Sequence, residues 1–258
     1  MLKFKRLIVI VIGLLLTLNA YSQSLKIQYQ QQFENSSVNF DERYDLIIAD
    51  TISIYIERER IGEHGLKGNE NGEVFLFNKN QKIHRKYYLN LKEQFLFSEE
   101  YYSEPLLIKE ADSLLNKQWT YIDTTKTINQ YQCKLATKNF RGRSYNVWYT
   151  TDVRTNYGPW KFIGLPGLII EAYDKKKEFH LKALNISTLN SQEKAEIVEW
   201  DILKNIKNQK VYSIEEFQNK VAEHRQIILN RISNSLPRNV PKNIKIDCED
   251  CDEGLEKY

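Results

Sequence analysis

The chain has 258 residues, with 37 basic against 34 acidic side chains and a formal charge of +3. That balance is too even for a nucleic-acid face or an anionic-membrane surface. Tyr at 16 and Phe at 11, against one Met, favour a β-rich protein over a helical bundle, and the length suits one large domain.

Residues 1–22 read as a secretory leader. Lys3, Lys5 and Arg6 form a basic region, Leu7 to Leu18 is apolar, and Ala20-Tyr21-Ser22 places small residues for cleavage before Gln23. The apolar run is shorter than the ~20 residues of a spanning helix. Removing the three basic leader residues leaves 34 against 34, a neutral mature chain. The expected product is exported, periplasmic or secreted, with no transmembrane segment after processing.

From Leu25 to Phe33, Leu25, Ile27 and Tyr29 alternate with polar partners, as in a strand. Tyr44 to Ile56 is apolar and β-branched, weakest at Ala49-Asp50. Gly62, Gly65, Gly68 and Gly72 punctuate a loop whose spacing fails the phosphate-cradle pattern. A meander follows through Val74, Leu76, Tyr87, Leu89, Leu91, Phe95 and Phe97, then Leu106 to Ile108, Trp119 to Ile122 and Tyr131 to Thr137. Phe140-Arg141-Gly142-Arg143 closes a hairpin into Tyr145 to Thr150, and Phe179, Leu181 and Ala183 return on one face opposite His180 and Lys182.

The stretch with the strongest punctuation is Gly158 to Asp174, GPWKFIGLPGLIIEAYD. It reads as a Gly-Pro turn (Gly158, Pro159), a short aromatic strand at Trp160, a Leu165-Pro166-Gly167-Leu168 turn, and an apolar strand covered on both faces where it begins. Pro166 followed by Gly167 predicts a type II turn with Gly167 at φ > 0. Helix comes late. Ser213 and Glu216 form a capping box, Phe217, Val221, His224, Ile228 and Ile232 make one apolar stripe, and Leu236-Pro237 ends it. Residues 193–206 fit a helix or a strand equally well.

Gly164-Leu165-Pro166-Gly167-Leu168-Ile169, with Tyr131-Gln132-Cys133-Lys134, Phe140-Arg141-Gly142-Arg143, Val147-Trp148-Tyr149-Thr150 and Gly158-Pro159-Trp160-Lys161-Phe162 before it, resembles the GLPGLI family of Bacteroidota. Arg154-Thr155-Asn156 departs from the apolar or proline-containing segment found there. The resemblance implies an exported protein of no assigned activity and supplies no catalytic residues.

Candidate chemistry is sparse. His64, His84, His180 and His224 are scattered and show no zinc-protease spacing. Glu171 with Asp174 is a conceivable acid/base pair. Cys133 reads as a buried small hydrophobe, with a bond to either tail cysteine as the competing geometry. Cys248 and Cys251 have ligand spacing, but Asp247, Glu249, Asp250, Asp252 and Glu253 surround them and disfavour thiolate, so redox catalysis is not expected. The pair reads first as a small tail disulfide or as idle thiols, and metal capture there needs two further ligands.

The sequence therefore predicts an α+β protein with β predominant. A curved antiparallel meander sheet or half-barrel spans 23–236 with a C-terminal helix docked on one face, and 237–258 is a polar acidic tail. A fold-level similarity to the half-barrels of periplasmic lipoprotein carriers suggests a non-enzymatic binding or carrier-type module. Its expected partner is an apolar or peptide-like ligand or an envelope protein, bound on the concave side of the sheet. The alternative is a metal-assisted or other envelope hydrolase whose site is assembled from loops.

Overall fold

The computed structural model describes residues 24–34, 39–61, 67–68, 74–75, 85–101, 105–110, 118–199 and 209–235. The expected leader, most of the Gly-rich loop, His64, His84 and the tail with Cys248 and Cys251 lie outside them, as do the side chains of His224, Ile228 and Ile232.

The strands in chain order are β1 (Leu25–Glu34), β2 (Asn39–Ala49), β3 (Ile52–Ile61), β4 (Lys67–Gly68), β5 (Val74–Phe75), β6 (Lys86–Asn90), β7 (Phe95–Tyr101), β8 (Pro105–Lys109), β9 (Thr120–Ile128), β10 (Tyr131–Phe140), β11 (Arg143–Thr150), β12 (Leu168–Asp174) and β13 (Phe179–Thr188). Helix α1 (Ser191–Glu199), strand β14 (Val211–Tyr212) and helix α2 (Ile214–Ser235) follow. All strands but β4 and β5 join one open sheet of 12, in the order β14-β8-β7-β6-β3-β2-β1-β13-β12-β11-β10-β9. Two antiparallel meanders meet where β13 returns to pair with β1, Leu25 opposite Thr188 and Phe33 opposite Phe179; among the described strands only β14 with β8 is parallel.

Local chemistry sets the turns. The weak point at Ala49-Asp50 is the β2–β3 hairpin, where Asp50 takes φ 49°. Arg141 and Gly142 both have positive φ, as a two-residue hairpin between right-twisted strands requires. Ser213 caps α2 as its sequence dictates. Its hydroxyl accepts from the Glu216 N–H at 3.1 Å, and its own N–H donates to Glu216 Oε2 at 2.8 Å.

The sheet curls. Glu110 and Thr120 flank the connection between β8 and β9, strands near opposite ends of the order, and ten residue steps reach at most about 35 Å. Its inner face carries one apolar cluster running from β1–β3 and β6–β7 to β10–β13. The filling of that face is the chain's own β11–β12 connection, which buries Trp160, Phe162, Ile163 and Leu165 there. The opposite face of β2–β3 and β6–β8 carries a smaller core with Leu189 and with Ile197 of α1. Helix α2 makes its contacts with β8 and β14, at that end of the sheet. No described helix is long and apolar enough to cross a membrane.

Candidate functional site

Between β11 and β12 the chain forms a closed loop. The Gly164 N–H donates to the Asn156 carbonyl at 2.9 Å and the Phe162 N–H to the Pro159 carbonyl at 3.1 Å. Two expectations fail here. The aromatic stretch is a turn and not a strand, with Trp160 at φ 53°. Positive φ falls at Trp160 and Gly164 (89°), not at Gly167. Gly167 is needed for a different reason: a Cβ there would stand 2.0 Å from the Thr150 carbonyl oxygen. Close backbone approach, not turn type, excludes a side chain. Gly158 is the same case, with the Phe162 oxygen 1.8 Å from a Cβ.

The turn drives two neighbours into different company. Trp160 meets Phe140, Tyr145 and Phe162 edge-on at 5.0–5.8 Å between centroids. Lys161 reaches across to the first meander. Its Nζ lies 2.6 Å from Glu110 Oε1, while Arg141 holds Oε2 at 2.7 Å and the Ser98 hydroxyl donates to Oε1 at 2.7 Å. Burial pulls the Lys161 ammonium down to about 8 against the opposing pull of Glu110. Burial works to raise the Glu110 carboxyl, yet Lys161 and Arg141 hold it below the usual range. Lys161 interrupts the apolar run from Pro159 to Ile163, and a lone charge in such a run needs a buried partner. That signal was available in the sequence; its partner Glu110 was not.

The first meander continues this polar interior. Tyr44 donates to Glu42 at 3.0 Å, Gln31 donates to the same carboxylate at 3.1 Å, and Arg85 lies 3.5 Å from Glu42 and from Glu100. Tyr44 stacks on Tyr55 at 4.5 Å. Burial first, and then the neighbouring carboxylates, push the Tyr44 phenol well above its ordinary value.

Glu171 and Asp174 do not come together. Asp174 binds Arg143 at 2.6 Å. Glu171 joins His180 at 2.8 Å and Lys126 at 2.7 Å, with Lys126 also 4.4 Å above the Trp148 ring. Although burial opposes it, bonding to Lys126 and His180 lowers the Glu171 carboxyl. Cys133 is a buried free thiol, and burial raises it, which makes it inert. Among the described residues no group of three His, Cys, Asp or Glu is arranged to hold a metal.

One cavity lies where the sheet splits. Strands β12 and β13 pair only at Glu171–Lys182, Ala172–Leu181 and Tyr173–His180. Before Glu171, β12 is bulged at Ile170, since Trp148 faces Glu171 while Tyr149 faces Ile169. After Lys182, β13 is bulged at Leu184, since Tyr29 faces Ala183 while Gln28 faces Asn185. Two facing bulges bend the strands apart. The gap holds about 490 Å³, bordered by Ile170, residues 183–186 and the β9–β10 turn Asn129, Gln130 and Tyr131. Tyr29 stabilises the split: its hydroxyl donates to the Ile169 carbonyl at 2.7 Å.

The family model described as a protein of unknown function (Porph_ging) matches residues 141–171, from the β10–β11 turn to Glu171. No curated protein matches the chain. Among solved structures, one crystal form of PNGF-II is similar with a TM-score of 0.51 and 16% identity, covering 77% of this chain and 33% of that one. A second crystal form of PNGF-II gives 0.48 and 15%, over 74% and 31%. The chain spans about a third of the length of these structures, and at such identity the likeness is one of fold.

Proposed function

We propose that this chain is an exported envelope protein of the GLPGLI type that works as a non-enzymatic binding module and takes a peptide-like ligand in the cavity between β12 and β13. The observation that carries the reading is the split itself. It is a gap of about 490 Å³, within the size range of ligand sites, edged by the amides Asn129, Gln130 and Asn185 and by the aromatic Tyr131. Amides and a phenol ring suit a neutral, hydrogen-bonding chain. The half-barrel interior serves a different end, because residues 157–165 fill it; a lipid carried on that face would have to displace Trp160 and Phe162. The leader pattern and the Gly164–Ile169 hexapeptide support the envelope location.

The rival hydrolase has one supporting observation, the part-exposed pair of His180 and Glu171 at 2.8 Å. A carboxylate orienting an imidazole is how a general base is built. Here Lys126 holds the other Glu171 oxygen, so the carboxylate is shared with a cation. A metal at Cys248 and Cys251 would belong to this rival as well.

Native mass spectrometry of protein purified from its own envelope tests the proposal. The expected result is a mature N-terminus at or near Gln23 and an added mass of peptide or polypeptide that Tyr131→Ala with Asn185→Ala removes. An intact Met1, a bound lipid alone, or stoichiometric zinc lost with both tail cysteines would overturn it.

A further inference from the structure

We infer, resting on that binding reading, that the ligand is an extended segment of a partner polypeptide that adds to the free edge of β13 as a new strand within the split. Strand β13 runs to Thr188 and is paired with β1 from Phe179 to Thr188, except at the bulged Leu184. Its other edge is paired with β12 only at residues 180–182. From residue 183 to 188, about 20 Å of strand at ~3.3 Å per residue, no strand among the described residues pairs with that edge, and residues 183–186 border the gap. An unpaired edge is a template for another chain.

A free edge is not by itself a site, and the rest of the sheet shows how a guarded one looks. Strand β9 also ends the sheet, but its pairing with β10 breaks between Lys134 and Leu135, and Asp123 and Lys126 sit along it. Bulges and charges are the ordinary protection of an edge. In the β13 segment 183–188, Ala-Leu-Asn-Ile-Ser-Thr, there is no charge and no proline. Its bulge at Leu184 lies two residues beyond Lys182, where the pairing with β12 stops, so the bulge accompanies an open edge. The facing strand is bulged at Ile170, the residue just before its last partner to β13, Glu171. The carbonyl that β12 would otherwise present there, that of Ile169, is satisfied by Tyr29 from two strands away.

The chemistry of the walls selects the occupant. Main-chain pairing to β13 supplies affinity without regard to sequence, while pockets for alternate side chains supply preference. Ile170 and Ile186 border the cavity together with Tyr131 and suit an apolar side chain at every second position. Asn129, Gln130 and Asn185 suit the polar ones between. The recognised segment is therefore uncharged or weakly charged, with alternating apolar residues, as in an unpaired strand of another envelope protein.

The test uses the full chain and two probes, an acetylated hexapeptide alternating Val and Thr, and the same peptide N-methylated at every second residue in either register. Calorimetry and amide hydrogen exchange are the readouts. Expected are binding of the unmodified peptide, at least tenfold weaker binding for one methylated register and not the other, and slowed exchange confined to alternate amides of residues 183–188. Equal binding of both registers, protection on β9 instead, or no binding of any probe would sink strand addition. The wider binding reading would still stand or fall on the co-purified mass. A dimer of the chain that the peptide dissociates would place a second copy in the gap and overturn the assignment to a partner.

Discussion

Two Lys–Glu pairs of nearly equal length sit on the two sides of the second meander. Lys161 and Glu110 are 2.6 Å apart inside the curl, with side-chain exposures of 1% and 0%. Lys126 and Glu171 are 2.7 Å apart on the other side, at 39% and 16%. Distance does not separate them; water does. The inner pair has given up hydration, so its members depend on each other and on Arg141 and Ser98. The outer pair exchanges one favourable environment for another, and its net value is small. A reader who ranks ion pairs by length would treat them as equals, and the fold does not.

The sharpest way to break that contrast is Glu110→Gln. It leaves Lys161 buried without its shortest carboxylate partner, and breaking a buried pair costs about 3–5 kcal/mol. The pH dependence has a definite sign. The Lys161 folded value, about 8, lies below the ordinary lysine value of ~10.4, so between the two the unfolded chain binds the proton and stability rises with pH. Without Glu110 the folded value falls further, so the rise begins at lower pH. The deficit of the variant should therefore be greatest just above the carboxylate range, narrow as pH approaches 8 and stay level beyond it. Urea unfolding on both sides of pH 8 measures this; a deficit flat across that span would show that Lys161 is not the group left exposed to the penalty.

Much of the frame was legible and the pairings were not. Period-two alternation marks Leu25 to Phe33 because that strand has one buried face, and the Ser213–Glu216 box is legible because capping is decided within four residues. Glu110 reads as one more charge after Ile108 and Lys109, since its burial depends on a lysine 51 positions away in sequence. Bulges at Ile170 and Leu184 leave no local mark either; they appear only once the registers of β11, β12, β13 and β1 are fixed together. The misplaced left-handed residue is instructive. Pro166-Gly167 announces a type II turn, but Gly167 is required by close approach to Thr150, and the positive φ values of the loop fall at Trp160 and Gly164.

That correction gives the second test. Gly167→Ala introduces a Cβ where the Thr150 carbonyl oxygen lies 2.0 Å away, and overpacking of this kind costs about 1–3 kcal/mol. No charge is touched, so the loss should be the same on both sides of pH 8, in contrast with Glu110→Gln. Thermal melts of the two variants at matched pH decide it. A Gly167→Ala protein with unmoved stability would mean that β11 and the loop separate freely, and that the inner pair is not held by the turn preceding β12.

The smallest effect belongs to the outer pair, and its smallness is the prediction. Lys126→Met removes the 2.7 Å contact with Glu171 while a Met side chain still covers Trp148, so the loss should stay under about 1 kcal/mol. Its sign with pH follows from Glu171, whose folded carboxyl is held below the usual range by Lys126 and His180. A depressed carboxylate stabilises above its unfolded value, and that stability is lost as pH falls through the folded one. The gap between wild type and Lys126→Met should thus be present at neutral pH and vanish in acid. Raised salt should shrink it as well, because an exposed pair is screened within ~8–10 Å at moderate ionic strength, whereas salt should leave the Glu110→Gln deficit nearly untouched. Should Lys126→Met cost as much as Glu110→Gln, or resist salt equally, burial would not be what separates the two pairs, and the outer cluster of Glu171, His180 and Lys126 would need a role beyond holding neighbouring strands together.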